Sequence, residues 1–360
     1  MKPLPANISL FYMLKTSVPS TNYTFNSTSD YEDPVVNFLF AITSKTAAEY
    51  ALIAIYIVLF VTIGLPIIGS LLFLILNHVA AWSIFKLYCL KYKLQHGKPG
   101  IDEDAARKTI WKWWYWVSKI WFGYELIGLE VLPPDEPVIF IVLHGATPAA
   151  IGSGNAIIAK YRQQHPYAII DKGHANHPIT RDYFKMFNWG AYSREECVKI
   201  LQDGNDIAIM PGGNLELRYS DSNYNIVWGN RKGFAHVAKE AKVASTAIVP
   251  IFCINLNEAF WTPYIIQKFA QSRVAPKGFA FAWGGLPVKL TSIVGKPITY
   301  DESKTAEDIF NETLSALKEL IALNQRIPGN KFCALLDRFR KIKPKTNYPN
   351  ILNKVANISA

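Results

Sequence analysis

From Tyr50 to Phe85 the chain runs 36 residues without an aspartate, glutamate, lysine or arginine. A stretch of roughly 18 or more such residues reads as membrane-embedded. It starts too far from Met1 for a signal peptide, and no charged n-region or cleavage site precedes it. As a single helix it would be about 54 Å long, against a hydrocarbon core of roughly 30 Å. Gly64-Leu65-Pro66 falls near its middle, and proline breaks or kinks a helix. Two arrangements fit: one kinked, tilted span, or a hairpin that returns to its starting side. A single transmembrane segment over 50–85, kinked near Pro66, is expected, because Ala51 to Ile63 alone is too short to cross.

The flanks orient that span. Lys86, Lys91, Lys93 and Lys98 follow it at once, which assigns its C-terminal side to the cytosol. Residues 1–49 form an N-terminal tail with the sequons Asn22-Tyr23-Thr24 and Asn26-Ser27-Thr28, in keeping with a lumenal side. Lysine and arginine total 38 against 28 acids, a net charge of +10, so an anionic partner surface is expected, membrane or nucleic acid. The aromatics choose between these. Tryptophans at 111, 113, 114, 116 and 121, interleaved with lysines, prefer the headgroup level of a bilayer. Residues 86–124 therefore read as a basic, aromatic linker helix at the interface; the alternative is a helix buried against the following domain. Stacking on nucleic acid fits poorly behind an uncharged run. Cys89, Cys197, Cys253 and Cys333 form no CxxC pair, which argues against a zinc site or disulfide framework and suits a reducing compartment.

From about Glu125 short apolar runs alternate with helical patterns. Val138 to Leu143, Tyr167 to Ile170, Asp206 to Met210, Ala247 to Val249 with Ile251-Phe252, and Val288 to Val294 predict strands, the first buried on both faces. Ser193-Arg194-Glu195-Glu196 is a capping box opening a helix over 194–203 that Gly204 closes. Phe234 to Lys242 and Ala306 to Leu323 also carry helical spacing. This alternation predicts an α/β domain over 125–335, a mostly parallel sheet flanked by helices. The tail over 336–360 is basic, and it reads equally as a lipid contact or as a solvated helix end.

In open α/β sheets, ligands bind outside the carboxyl ends of the strands. Three segments fall at such ends. His144-Gly145 follows the first strand, Asp171-Lys172-Gly173-His174 the second, and Pro211-Gly212-Gly213-Asn214-Leu215-Glu216 the strand over 206–210. A histidine in such a turn suits a general base, because its ordinary pKa near 6.5 lets it take a hydroxyl proton close to neutrality. Pro211, Gly212 and Gly213 would offer backbone N–H groups to an oxyanion, with Glu216 and Arg218 lining an acceptor pocket. Structural readings compete: a strand-end histidine is often structural, and Pro-Gly-Gly is often a plain turn. His144, His174 and His177 lack an HExxH spacing, so no metal site is expected.

The order of these segments resembles the glycerolipid acyltransferase superfamily, specifically the branch typified by transmembrane protein 68. The likeness runs from about 105 to 340. It is densest in Ser193 to Leu201, Ile209 to Gly213, Tyr224 to Gly229, Arg231 to Ala235, Val249 to Phe252, Leu286 to Leu290 and Gln325 to Asn330. The resemblance implies that His144 is the histidine of a His-(x)n-Asp motif and deprotonates a glycerol hydroxyl, which attacks an acyl ester or thioester. Gly145, Pro211, Gly212, Gly213 and Glu216 would then hold the substrate. It also implies an endoplasmic-reticulum membrane enzyme whose catalytic domain faces the cytosol, with membrane lipids as partners. No cofactor is needed, since acyl-CoA or phospholipid serves as acyl donor and mono- or diacylglycerol as acceptor.

Two departures bear on activity. The aspartate expected five or six positions after the histidine is absent, Ala149 and Ala150 standing there, and Leu215 replaces the arginine before the motif glutamate. Asp171, at a neighbouring strand end, is a candidate replacement partner for His144; its plainer reading is a turn residue. Two functions of different classes follow: a membrane-bound O-acyltransferase making neutral glycerolipid, or a catalytically silent homologue that binds lipid or regulates at the membrane.

Overall fold

The computed structural model describes residues 47–134, 136–145, 151–241, 247–261, 264–272, 274, 283–299, 301–340 and 345. Ala149, Ala150, most of the N-terminal tail and much of the basic tail lie outside the described residues. The chain divides after Phe60 into two units. In the first, α1 (Ala47–Leu59) exposes apolar side chains all round, among them Leu52, Ile55, Tyr56 and Ile57. A π-helical turn, Phe60–Gly64, follows in sequence. Among the described residues no helix is long and apolar enough to cross a membrane. The expected span over 50–85 is divided by this turn, which leaves α1 about 20 Å long, short of a roughly 30 Å core.

The second unit begins with α2 (Leu65–His96), which has Pro66 in its first turn, where a missing N–H leaves nothing unpaired. Next comes α3 (Glu103–Phe122), capped by the Asp102 side chain on Ala105 N. Its tryptophans divide between the two readings. Trp114 stacks on Phe187 and Trp189, and Ala106, Ile110 and Phe122 are buried on the same side, whereas Trp113, Trp116 and Ile120 are exposed. A 3.6-residue period gives a helix both a buried stripe and an outer one, so interface and core are two faces of one helix. Trp113 Nε1 also donates to Asn77 Oδ1 at 2.7 Å, tying α3 to α2.

The α/β part then runs β1 (Glu125–Ile127), β2 (Val138–Val142), α4 (Ile151–Arg162), β3 (Tyr167–Ile169), α5 (Lys172–Ala175), α6 (Arg181–Met186), β4 (Trp189–Gly190), α7 (Arg194–Gln202) and β5 (Ile207–Ile209). It continues with α8 (Gly213–Tyr219), α9 (Gly233–Ala241), β6 (Ala247–Ile254), α10 (Leu256–Ala259), β7 (Phe260–Trp261), α11 (Tyr264–Gln271), β8 (Trp283–Gly284), β9 (Thr291–Val294), α12 (Ala306–Asn324) and α13 (Lys331–Leu336). The main sheet has the order β1-β9-β6-β2-β5-β3-β4, parallel except for the antiparallel pair β6–β9. Strand side chains alternate between its faces. Phe140, Val249 and Ile251 pack with Ile158 of α4, while Ile139, Ile141, Phe252 and Ile293 pack with α7, α9 and α12. Burial of each such side chain contributes about 1.5–3 kcal/mol.

The capping box of α7 forms as expected: Ser193 Oγ accepts from Glu196 N at 3.2 Å, and Glu196 Oε2 accepts from Ser193 N at 2.6 Å. β6 runs straight through Pro250, whose carbonyl accepts from Gly295 N at 2.7 Å. One expectation needs correction. The last strand is shorter than its apolar run, because Leu290 turns its N–H to the Phe122 carbonyl at 3.1 Å. At the amino edge of the sheet, buried Asp206 accepts from Arg162 Nη2 and from Val138 N, both at 2.9 Å, which fixes β2, β5 and α4 together.

Candidate active site

β2 lies between β6 and β5 and is parallel to both, so the carboxyl ends of three central strands share one edge. His144 leaves the end of β2 and is buried. Gly145 follows at φ +59°, in the left-handed region, and a Cβ there would meet Leu256 Cδ2 at 2.7 Å. Only glycine turns the chain this tightly under α10. From the end of β5, Pro211-Gly212-Gly213 leads into α8, whose first turn carries Glu216.

Glu216 and His144 meet. Glu216 Oε2 accepts the main-chain N–H of His144 at 2.7 Å, and the carboxylate is only 2% exposed. Burial pushes the Glu216 carboxyl up to about 7, against the pull of the His144 main-chain N–H. Gly212 makes the room: a Cβ there would lie 2.1 Å from Glu216 Cγ and Cδ. The His144 imidazole has Nδ1 3.1 Å from the Gly145 carbonyl. That bond assigns the proton to Nδ1 and leaves Nε2 with a free lone pair. Burial holds the imidazole below its usual range, with the Gly145 carbonyl opposing, so it favours the neutral base form.

The structure does not bring every candidate to this place. Asp171 caps its own short helix, accepting from Gly173 N at 2.8 Å, with His174 Nδ1 3.7 Å away. It stands at the end of β3, two strands from β2, and no hydrogen bond joins it to His144. Asp171 is thus the turn residue of the plainer reading and not the imidazole's partner; strands roughly 4.8 Å apart keep it out of reach. Arg218 donates from Nη2 to the Ala270 carbonyl, which points it at α11 and ties α8 there. In the Pro-Gly-Gly turn, Gly213 N–H already donates to the Met210 carbonyl at 3.1 Å and is not a free oxyanion donor.

Residues unassigned from the sequence complete the site. Arg231 Nη1 donates to the Pro211 carbonyl at 3.0 Å and also to that of Gly212, and so clamps the turn. On α10, Glu258 accepts the Tyr224 hydroxyl, and Gln325 Nε2 approaches the same carboxylate at 3.4 Å. Arg231, Tyr224 and Gln325 each open a segment where the family likeness is dense, which was the available signal. An apolar cavity opens beside Leu143, lined by Val142, Met210, Ile251 and, from α4, Asn155 and Ile158.

No family model matches the chain. Among known proteins it is 40% identical over 253 residues to the "DGAT1/2-independent enzyme synthesizing storage lipids" of Bos taurus, covering 68% of this chain and 73% of that one. The Homo sapiens protein of the same description is 39% identical over 243 residues, covering 66% and 72%. Of solved structures, the 1-acyl-sn-glycerophosphate acyltransferase PlsC of Thermotoga maritima aligns with a TM-score of 0.39 and 16% identity, over 68% of this chain and 95% of that one.

Proposed function

Because this chain belongs to the family of the DGAT1/2-independent enzymes synthesizing storage lipids, we propose that it is a lipid acyltransferase of storage-lipid synthesis, with His144 as its general base. The observation that carries the reading is the Glu216–His144 link at 2.7 Å on the carboxyl edge of the sheet. It fixes the backbone from which the imidazole projects, and the Gly145 carbonyl sets the tautomer that a base requires.

In this reading Nε2 of His144 takes the hydroxyl proton of mono- or diacylglycerol as the alkoxide oxygen attacks the acyl carbonyl carbon. The tetrahedral intermediate collapses by losing the donor's leaving group, the thiolate of CoA or the alkoxide of a lysophospholipid. The imidazolium then returns its proton to that group. No cofactor enters. A backbone carbonyl replaces the motif aspartate as the Nδ1 acceptor, but its partial charge stabilises an imidazolium less than a carboxylate does. Removing that carboxylate from a serine-protease triad costs about 10⁴ in rate, so a slow enzyme is expected. The substrates dissolve in a bilayer, and the exposed apolar side chains of α1, with Trp113, Trp116 and Ile120, support contact with a membrane, which this reading takes to be the endoplasmic reticulum with the catalytic domain on the cytosolic side.

The alanines at 149 and 150 favour the second reading, a catalytically silent lipid-binding homologue. One experiment separates the two. Expressed in cells that lack their own triacylglycerol synthesis, the chain should restore neutral lipid, and His144→Ala should abolish the restoration. An unmodified chain that folds, reaches the membrane and restores nothing would establish the silent reading.

A further inference from the structure

Asn155 sits on α4, only 6% exposed, and its side-chain Nδ2 has no hydrogen-bond partner. A buried donor left unmade costs about 1–3 kcal/mol, so a folded chain that keeps one calls for an explanation. The amide lines a cavity of about 40 Å³ between α4 and the carboxyl ends of β2, β5 and β6. One water needs roughly 10–15 Å³ of such space, so a single water does not fill it. Val142, Ile158 and Ile251 offer a cluster of waters nothing to bond. Of the other hydroxyls in the lining, Tyr124 donates to Ser292 Oγ at 3.0 Å. The cavity is bordered by Leu143, the residue before His144, and its mostly apolar wall holds the unpartnered Asn155 N–H.

The geometry points to Asn155 as the residue that recognises the acyl group, its Nδ2 donating to the acyl carbonyl oxygen while the first methylenes line the apolar walls. This rests on the acyl-transfer reading. Apolar walls alone would accept any hydrocarbon, whereas an unpaired amide is satisfied only by a ligand that brings an acceptor oxygen, which is how a polar group confers selectivity. A thioester of CoA and an ester of phospholipid present the same C=O, so the two donors are separated by experiment.

Infrared difference spectra of the full chain, in a detergent without carbonyl groups and without acceptor, would read the contact directly. One arm uses oleoyl-CoA labelled with ¹³C at the acyl carbonyl; the other uses phosphatidylcholine labelled at the same position. The labelled band should shift to lower frequency on binding in at least one arm, and that arm identifies the donor. N155L, and N155S whose hydroxyl is too short to reach, should both abolish the shift. Each should cut kcat/KM by about 10–100-fold with an unchanged or higher thermal midpoint for N155L, since an unpaired donor is removed. No shift in either arm with the natural chain, or a shift kept by both variants, would overturn the proposal. A carbonyl shift without turnover would sink the acyl-transfer reading and leave this site standing.

Discussion

The turn after β2 and the turn after β3 look alike in sequence and differ in fate. Each follows a short apolar strand and sets a histidine beside glycine, and each was a candidate for the acid–base pair. His144 is 8% exposed and its backbone is gripped by a carboxylate from the next strand's helix. The Asp171 and His174 side chains are 56% and 70% exposed and, among the described residues, bond only within their own turn. Position in the sheet makes the difference. β2 is flanked by β6 and β5, whereas β3 has on its outer side only the two-residue β4. A polar group at a central strand end has neighbours on both sides that exclude water and supply partners; one near the sheet's edge is solvated and satisfies itself.

The largest effect that would break this contrast is at His144. His144→Ala in the purified protein should lower acyl transfer by about 10²–10⁴, the range of general acid–base catalysis, read as the rate of labelled acyl incorporation. A loss under threefold would remove the turn after β2 from the mechanism.

A pH dependence comes next. Folded Glu216 keeps its proton up to about 7, whereas the unfolded chain releases it near the ordinary carboxylate value of about 4.3. Between those values the folded state binds more protons, so this group makes stability fall as pH rises, on the order of 3 kcal/mol in all. His144, held below its usual value, acts in the opposite sense and makes stability rise towards pH ~6.5. Glu216→Gln removes only the first contribution and keeps an acceptor for His144 N–H. Urea unfolding across pH 4.5–7.5 should show the variant gaining on the natural chain as pH rises; a constant difference would mean that the carboxyl is not protonated in the fold.

Gly212→Ala should cost about 1–3 kcal/mol, as overpacked sites do, and reduce acyl transfer at least tenfold. The added Cβ would stand 2.1 Å from Glu216 Cγ and Cδ, so the carboxylate must leave His144 N. Full activity with a normal thermal midpoint would show the Glu216–His144 link to be dispensable. The smallest effect belongs to the other turn. Asp171→Ala loses a helix cap, about 1 kcal/mol, and should leave acyl transfer within twofold; a tenfold loss would restore Asp171 to the catalytic set.

Much of the α/β pattern was legible because strand and helix periods are local. The Val138 run, the Ser193 box and the Ala306 helix could each be read without knowing their neighbours. The tryptophan-rich segment was legible as a helix but not as a two-faced one, since which stripe is covered depends on Phe187 and Trp189 arriving from elsewhere in the chain.

The sequence by itself determined the apolar run over 50–85, the family, the strand ends that carry the chemistry and the loss of the motif aspartate, all of which are matters of residue identity and spacing. Only the tertiary structure decided that Glu216 holds His144, that Arg231 clamps the glycine turn, that Asp171 serves its own helix and that Asn155 Nδ2 is left without a partner. Strand order and burial choose those partners. Neither is encoded within any one segment, because hydrogen bonds between residues 72 positions apart form only after the sheet has set which strand ends lie side by side.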